Sequence, residues 1–452
     1  MAGTWKQWTT VAVLGSCAFA GIPLMWSSTL SGKAPDKPAT QANLAVAEAQ
    51  KGEWSRWRGP NLDGISAEKN LLKSWPEEGP ELAWQSNGFG GGYSSVAVSG
   101  GKIFTLGKID GKNCVIAAKV DGGEIAWKTP IGGGGDPNCT PTVDGKFVYG
   151  VSLDGDLACV NAEDGSIVWQ KNYGKDFGGK MMSGWGFSES PLIDGDRLIC
   201  TPGGNEALLA ALDKKTGDVI WKTKVPAPLG NKGGDGAGYA SVVIGNFGGV
   251  KQYVTLVGRG VVGVDAKTGE MLWAYNPIAN GTANIPTPII SGNFVFCSSG
   301  YDDGGTALLK ITKKGKAFNA EEVYYFPARK TQNHHGGMVL VGKNVFMGHG
   351  HNQGFPLCLN LENGADVWRP GRGPGGGSAA VAYADGNLYF RYQDGTMALI
   401  AANPKKYELR GKFTTKTKNG EGWAHPVIAG GMLYLRDQND LLCYDIRNKS
   451  DK

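Results

Sequence analysis

The feature that most constrains this chain is a four-strand unit that recurs along it. In residues 139–172, CTPTVDGKFVYGVSLDGDLACVNAEDGSIVWQKN, short apolar runs are separated by Asp144-Gly145, Asp154-Gly155 and Asp164-Gly165. Asp-Gly pairs favour type I′ hairpin turns, because both central residues of that turn need positive φ. Four antiparallel strands joined this tightly form one blade. A single blade cannot bury both of its faces, so its recurrence predicts a repeat architecture.

The number of blades can be counted from two different strands. Fourth strands end in Gly-x-x-x-Trp or a variant of it, with Tyr324-Tyr325 replacing the tryptophan once and Tyr407 to Phe413 supplying another strand. The tryptophans of this tag are Trp84, Trp127, Trp169, Trp221, Trp273 and Trp368. Apolar third strands begin near residues 114, 157, 208, 261, 307, 357, 397 and 441. Both counts predict an all-β, eight-bladed propeller of four-stranded antiparallel blades, spanning residues 53–447.

One fourth strand is out of order in the sequence. The last third strand is followed by Asp445-Ile446-Arg447 and no further strand, whereas Glu81 to Ser86 precedes the first complete blade without partners of its own. We expect residues 81–86 to pair with Leu441 to Tyr444 in the last blade, which closes the ring and leaves no open edge between the chain ends.

The segments outside the repeats have different compositions. Residues 1–32 combine Lys6 with an apolar run, which indicates an export signal peptide or a retained signal anchor, and Cys17 leaves lipidation open as an alternative. Residues 33–52 predict a flexible tether, and residues 448–452 a short tail. The irregular segment that starts at Trp54, WSRWRGPNLDGIS, is expected to cap the fold or to pack its indoles over the edge of the core.

Charge and cysteine usage exclude some function classes. A net charge of +5 over 452 residues, without a block of Lys and Arg, gives no support for nucleic-acid binding. The eight cysteines include no adjacent pair and no Cys-x-x-Cys motif. Cys159, Cys358 and Cys443 occupy the same repeat position, which favours small core side chains.

Histidines concentrate at one end of the predicted ring. In an antiparallel blade, the connection to the next first strand lies at the same end as the turn between the second and third strands. His334 and His335 enter the sixth blade, His349 and His351 end its second strand, and His425 enters the eighth blade. His334, His335, His349 and His351 are therefore candidate ligands of a divalent metal ion. The alternative is that they hydrogen-bond to neighbouring loops.

Aromatic and charged residues of other blades map to the same end, and the central pocket there is the default site for a small ligand. The alternative is that they are loop residues that cover strand ends. The candidates are Trp185, Glu189, Tyr239, Asn284, Tyr301, Asp302, Arg372, Arg391, Trp423, His425, Arg436 and Asp437.

The tags Asp-Gly-x-x-x-Trp and Lys-Thr-Gly-x-x-x-Trp resemble the repeats of quinoprotein-type (PQQ-like) eight-bladed propellers over about residues 54–447. The stretches WRGP, NHHGG at Asn333, GHGHNQG at Gly348 and RGPGGGS at Arg372 are similar to exported propellers of planctomycete-type bacteria, mostly of unassigned function. The superfamily also contains quinone-dependent dehydrogenases and a lipoprotein of the outer-membrane β-barrel assembly machine. The dehydrogenases carry adjacent cysteines and calcium ligands, so the sequence speaks against a PQQ cofactor here, while a divalent metal stays open.

These observations predict an exported binding module of the periplasm or cell envelope that takes a protein partner or a small ligand on its histidine-bearing face. No nucleophile elbow or metalloprotease motif is present, so a non-catalytic role is expected. The alternatives are a periplasmic quinone- or metal-dependent oxidoreductase and a cell-envelope assembly scaffold.

Overall fold

The computed structural model describes residues 52–301 and 303–449 of the chain. The predicted signal or anchor segment, Cys17, nearly all of the tether, Asp302 and the last three residues of the tail lie outside this part. Within it, no helix has both the length and the apolar character that a membrane crossing requires.

The described residues form eight blades of four antiparallel strands, as the repeat count predicts, and in blade 7 the short strand Ile65–Ser66 adds to the sheet by pairing in parallel with the first strand. The strands of blades 1 to 4 are Ala97–Ser99, Lys102–Ile109, Lys112–Lys119 and Ile125–Gly132; Thr142–Asp144, Phe147–Val151, Asp156–Asn161 and Ile167–Asn172; Leu192–Asp194, Arg197–Cys200, Ala210–Asp213 and Val219–Lys222; Val243–Phe247, Val250–Val257, Gly260–Asp265 and Met271–Tyr275. The strands of blades 5 to 8 are Ile289–Ser291, Phe294–Ser299, Gly305–Lys314 and Ala317–Pro327; Met338–Val341, Asn344–His349, Phe355–Asn360 and Asp366–Trp368; Ala379–Ala384, Asn387–Tyr392, Thr396–Ala401 and Leu409–Thr414; Val427–Ala429, Met432–Asp437, Asp440–Asp445 and Glu81–Asn87.

First strands of neighbouring blades contact one another, which places them around the axis, and each fourth strand lies at the outer edge of its sheet. Two short helices interrupt the pattern, the α-helix Tyr173–Phe177 and the 3-10 helix His351–Gln353.

The ring closes with the N-terminal strand, as predicted. Glu81–Asn87 pairs antiparallel with Asp440–Asp445, and Trp84 stands opposite Cys443. The eighth blade therefore joins three strands from the end of the chain to one from near its beginning.

The recurring tag has a packing explanation. The indole of Trp169 packs against Gly217 of the next blade, and its Nε1 donates a hydrogen bond to the carbonyl of Lys214 at 3.0 Å. Gly217 has φ +75°, and a Cβ atom there would lie 2.8 Å from the indole. The glycine of each Gly-x-x-x-Trp tag thus makes room for the tryptophan of the preceding blade. Where the tryptophan is missing, Gly364 contacts Phe326 and Tyr324 instead.

Residues 54–66, which we call the crossing segment, run over one end of the ring. The segment meets blade 1 at Val98, blade 2 at Val143, blade 3 at Ile193 and blade 7 at Tyr383 and Ala384. The contact with blade 7 falls at the C-terminal end of its first strand, whereas the histidine-bearing connections lead into the N-terminal ends of first strands. The crossing segment therefore covers the opposite end of the ring and acts as the cap that the sequence predicts.

The core lies within and between the blades. Seven cysteines belong to the described residues, and all of them are buried and unpaired. Cys159, Cys358 and Cys443 pack in hydrophobic clusters, which agrees with their predicted core role.

Candidate functional site

A cavity of about 590 Å³ opens at the histidine-bearing end of the ring. Its walls come from the connections that enter the first strands and from the loops between second and third strands. Aromatic and histidine side chains supply much of this wall, and they are Trp57, Tyr93, Trp185, Tyr239, Tyr301, His334, His335, His351, Trp423 and His425. A concave, largely apolar space of this size suits an organic molecule with a few polar groups.

Below the wall, hydroxyl groups link successive blades. The backbone N–H of Thr140 donates to Ser190 Oγ at 3.1 Å, that of Ser190 to Ser241 Oγ at 2.9 Å, and that of Ser241 to Thr287 Oγ1 at 3.2 Å. These residues hold the same position in blades 2 to 5. Each hydroxyl accepts a hydrogen bond from a backbone N–H group of the preceding blade that would otherwise be buried without a partner. These bonds fix the position of neighbouring blades relative to one another.

The crossing segment supplies the base of the cavity. Trp57 Nε1 donates to Thr287 Oγ1 at 3.4 Å, and its ring lies 4.4 Å from that of His425. Arg58 is only 4% exposed and donates to the backbone carbonyls of Leu62, Asp63 and Met338. Because these residues block the channel, the cavity is a blind pocket that opens at one end.

Four histidines line the cavity. The ring of His334 lies 4.5 Å from that of His335 and 4.6 Å from that of His351. His334 Nδ1 is 2.6 Å from Ser378 Oγ, and its Nε2 is 3.2 Å from the hydroxyl of Tyr301. His425 Nε2 donates to the carbonyl of His335 at 3.1 Å, which fixes the position of its proton.

Burial keeps the imidazoles of His334, His335 and His425 uncharged. Loss of hydration lowers the pKa values of His334, His335 and His425 to about 3, and neighbouring positive charge or other imidazoles add to the effect. His335 Nε2 is shielded from solvent and has no hydrogen-bond partner. At neutral pH the cavity therefore presents neutral rings that can donate or accept a hydrogen bond, with no imidazolium charge from these three residues.

The aromatic side chains of the cavity wall are fixed by contacts with one another and with a glutamine, and two residues of the wall have strained backbones. Tyr93 packs on Trp423 with ring centroids 4.6 Å apart, and Trp423 Nε1 donates to Gln393 Oε1 at 3.0 Å. Tyr301 and His351 contact each other at 4.8 Å, and both have left-handed backbones, with φ +65° and +26°. Such conformations are costly for residues other than glycine and are typical of functional sites.

The structure brings together eight of the residues that the sequence singled out. They are Trp185, Tyr239, Tyr301, His334, His335, His351, Trp423 and His425. Seven others lie away from the cavity, namely Glu189, Asn284, His349, Arg372, Arg391, Arg436 and Asp437. Strand topology assigns all of these residues to one end of the ring, but it does not give the direction in which the seven side chains point.

Glu189 and Asn284 belong to the scaffold. Glu189 Oε1 accepts from the Tyr173 hydroxyl at 2.7 Å and from the backbone N–H of Thr201 at 2.6 Å. Burial raises the pKa of this carboxyl. Asn284 Nδ2 donates to the carbonyls of Val257 and Gly258 at 3.1 and 3.0 Å. Both side chains complete buried hydrogen bonds between loops, so they are not available to a ligand.

Two of the three candidate arginines also hold loops together by hydrogen bonds to backbone carbonyls, and the third is exposed. Arg436 donates to the carbonyls of Phe89, Gly90 and Leu106 and so joins the eighth blade to the first. Arg391 Nη1 donates to the Ala424 carbonyl at 2.9 Å, whereas Arg372 lies exposed in a loop.

His349 is separated from the other histidines. Its Nδ1 lies 3.3 Å from the backbone nitrogen and oxygen of Gln332, and its pKa is lowered to about 4 by burial and by the positive charge of Arg369. Among residues 52–301 and 303–449, no group of three or more His, Cys, Asp or Glu side chains could hold a metal ion. The structure does not assemble the predicted four-histidine metal site, because His349 turns away.

The sequence prediction missed several wall residues. Trp57 and Arg58 belong to the irregular segment before the repeats, and Tyr93 precedes the first strand of blade 1. The WRGP stretch was the available signal, since an arginine between a tryptophan and a Gly-Pro pair has no place in the blade pattern.

Comparison with solved structures supports the fold. BamB from Moraxella catarrhalis superposes with a TM-score of 0.53 at 13% identity, covering 75% of this chain and 95% of that one. Quinohemoprotein alcohol dehydrogenase from Comamonas testosteroni gives a TM-score of 0.60 at 12% identity, covering 89% and 82%. At such low identity the likeness shows a shared propeller fold and nothing about activity.

The dehydrogenases that the repeats resemble hold a quinone cofactor, and the cavity residues of this chain do not fit one of that kind. None of the seven described cysteines lines the cavity, and no two cysteines are adjacent in the sequence. The described residues also provide no set of side chains for an accompanying calcium ion. We therefore derive no chemical step through a quinone.

Sequence comparison identifies the family. BamB of Burkholderia pseudomallei is 25% identical over 253 residues, which make up 54% of this chain and 58% of that protein, so the match spans less than two thirds of the relative. The PQQ_2 family model, described as outer membrane protein assembly factor BamB, matches residues 68–178 and 132–370, well over half of the chain. The chain therefore belongs to this BamB-like family of PQQ-type propellers.

Proposed function

We propose that this protein is a binding module of the cell envelope and that its blind aromatic cavity is the binding site. The observation that carries the proposal is the cavity itself, about 590 Å³ in volume, walled by aromatic rings and neutral imidazoles. Pockets of this size and composition enclose most of a small organic molecule or a projecting group of a larger partner. The description of the family supports a location in the envelope, as does the apolar N-terminal segment of the sequence.

Binding without catalysis is the role that the side chains support. The hydroxyl closest to His334 is that of Ser378, which is 2% exposed and does not line the cavity. A serine nucleophile must reach its substrate, and this one is covered. The cavity histidines are instead arranged to hold loops and to offer hydrogen bonds.

A thermal-shift screen of small organic compounds against the purified protein tests this proposal. Compounds that bind in the cavity will raise the melting temperature of the wild type and of the control Val323→Ala, whose side chain is exposed on an outer strand. They will lose that effect in Trp423→Ala, which removes one wall. Stabilisation that survives in Trp423→Ala for every compound would contradict the proposal, and so would a screen without any stabilising compound.

A second candidate function is assembly of other envelope proteins, and an exposed apolar strip favours it. Ile167 and Val168 of blade 2 and Val219 and Ile220 of blade 3 are between 44% and 48% exposed. They occupy matching positions on the outermost strands of neighbouring blades, whose outer edges pair with no further strand. An extended apolar segment of a β-rich envelope protein is the occupant that suits such an edge, since it adds as a further strand.

Photo-crosslinking in cells tests this second candidate. A photoreactive amino acid at position 167 will capture an outer-membrane β-barrel or an assembly protein, and Val219→Lys will abolish the capture. The same photoreactive residue at position 323 is the control, because Val323 is equally exposed on the outer strand of blade 5. Equal capture at positions 167 and 323, or capture that Val219→Lys leaves unchanged, would refute a specific docking strip.

A further inference from the structure

We propose that the blind cavity binds a neutral sugar ring, either as a free saccharide or as the end of a glycan chain. This inference rests on the proposal that the cavity is the binding site, and it names the chemical class of the ligand. Three features of the cavity carry it: the absence of a free Lys or Arg side chain among its described lining residues, its half-engaged amides and the exposed tryptophan at its mouth.

The charges of the cavity do not suit an anion. Apart from its histidines, the charged side chains that line it are Arg58 and Asp136, and Asp136 repels anions. The Arg58 guanidinium is bound to three backbone carbonyls, and its remaining nitrogen, Nη1, is buried beside Gly337 and His425. A carboxylate or phosphate would therefore lose hydration without gaining an accessible counter-charge.

Three amide side chains from different blades each keep one atom free for a ligand. Asn138 Nδ2 donates to Ser188 Oγ at 2.9 Å, Asn352 Oδ1 accepts from Ser378 at 3.1 Å, and Gln393 Oε1 accepts from Trp423. Each amide is thus fixed through one atom, while Asn138 Oδ1, Asn352 Nδ2 and Gln393 Nε2 have no hydrogen-bond partner in the described structure.

The free amide atoms favour a ligand with many hydroxyl groups. They comprise one acceptor and two donors, and they come from blades 2, 6 and 7, so they surround the cavity. A flat aromatic ligand would cover them and return no hydrogen bond, which costs free energy. A sugar hydroxyl both donates and accepts, so the hydroxyl groups of a saccharide can pair with either kind of free amide atom.

The aromatic residues at the mouth provide flat apolar surfaces for the carbon faces of a sugar. Trp185 is 59% exposed, and its backbone N–H is 3.3 Å from the hydroxyl of Tyr239, which anchors the loop. Tryptophan combines a large apolar face with low mobility, which suits stacking on a ring whose polar groups point outward.

The test is a glycan array followed by calorimetry with the strongest binder, using the full chain. The array carries neutral hexose oligomers, N-acetylhexosamine oligomers and sialylated or sulfated glycans, so that its first two arms distinguish a storage or structural polysaccharide from a cell-wall source. We expect binding to a neutral arm. Trp185→Ala and Asn352→Ala will each weaken it by about tenfold or more, whereas Val323→Ala, a change of an exposed residue on the outer strand of blade 5, will not change it.

Three results would overturn the inference, and they differ in what they mean for the proposed function. Binding of pyrroloquinoline quinone or of a choline derivative in place of any neutral glycan, lost in Trp423→Ala, would reject the sugar but keep the cavity as a binding site. Failure of all these probes, together with an unsuccessful compound screen, would reject both. Preferential binding of sulfated or sialylated glycans would reject the argument from charge.

Discussion

Replacement of Gly337 by alanine tests whether the crossing segment is seated firmly at the base of the cavity. Gly337 has φ +71°, and a Cβ atom there would lie 2.7 Å from Arg58 Nη1 and 3.1 Å from His425 Cε1. Gly342 in the same blade is a matched control, since it has φ +61° and no atom within 4 Å of the added carbon. The two substitutions share the conformational cost of alanine in the left-handed region and differ in the steric contact.

The expected magnitudes follow from that difference. Gly342→Ala should lower the free energy of unfolding by about 1–2 kcal/mol, which is the backbone cost alone. Gly337→Ala should cost that amount plus about 1–3 kcal/mol, because the added carbon must displace a guanidinium that three carbonyls hold in place. In the background of Arg58→Ala, most of this excess should disappear.

Urea denaturation at 25 °C, followed by tryptophan fluorescence and by circular dichroism, measures all four variants. The loss in free energy of unfolding should be larger for Gly337→Ala than for Gly342→Ala. A difference below about 0.5 kcal/mol, the usual error of additivity, would show that Arg58 is not fixed against Gly337. An excess that persists in full without the Arg58 side chain would show that the strain has another source. Either result would refute the description of the base of the cavity.

Three further predictions concern ring closure, the protonation of His335, and the contrast between a buried and an exposed arginine. Trp84→Ala should cost about 3 kcal/mol and accelerate amide hydrogen exchange in Asp440–Asp445, and unchanged exchange there would argue against closure by the N-terminal strand. Because the pKa of folded His335 is about 3, below the ordinary value of 6.5, its contribution to stability is complete above pH 6.5 and is lost as the pH falls toward 3. At about pH 5 this loss of stability is about 2 kcal/mol. Urea titrations should therefore show that the free energy of unfolding of the wild type falls, between pH 7.5 and pH 5, by about 2 kcal/mol more than that of His335→Gln. Arg436→Met should cost about 3–5 kcal/mol and Arg372→Met less than about 0.5 kcal/mol, and similar losses for both would contradict their different surroundings.

The fold was predictable because its determinants repeat. The Gly-x-x-x-Trp tag recurs because four of the tag tryptophans, Trp84, Trp127, Trp169 and Trp221, each fit over the tag glycine of the next blade. The out-of-order strand at Glu81 was equally predictable, because an unpaired fourth strand and an incomplete last blade each require the other.

The candidate site was only partly predictable, for a physical reason. Strand topology decides the end of the ring at which a loop lies, and this was sufficient to find Trp185 and His334. It does not decide whether a side chain points into the cavity or back between blades, since a shift of one residue reverses its direction. His349 and His351 illustrate this: the turn after the strand sends His351 to the wall, whereas His349 stays against Gln332.

Closure of the ring by Glu81–Asn87 also has a consequence for the order of folding. Gln85 and Asp440, which are bonded across the closing pair, lie 355 residues apart along the chain. Bringing such distant parts of an unfolded chain together costs about 5 kcal/mol of loop entropy. Closure should therefore be the late and slow event of folding. Until it occurs, two unsatisfied sheet edges stay open to strands of other chains, so newly made molecules should be most prone to self-association in this interval.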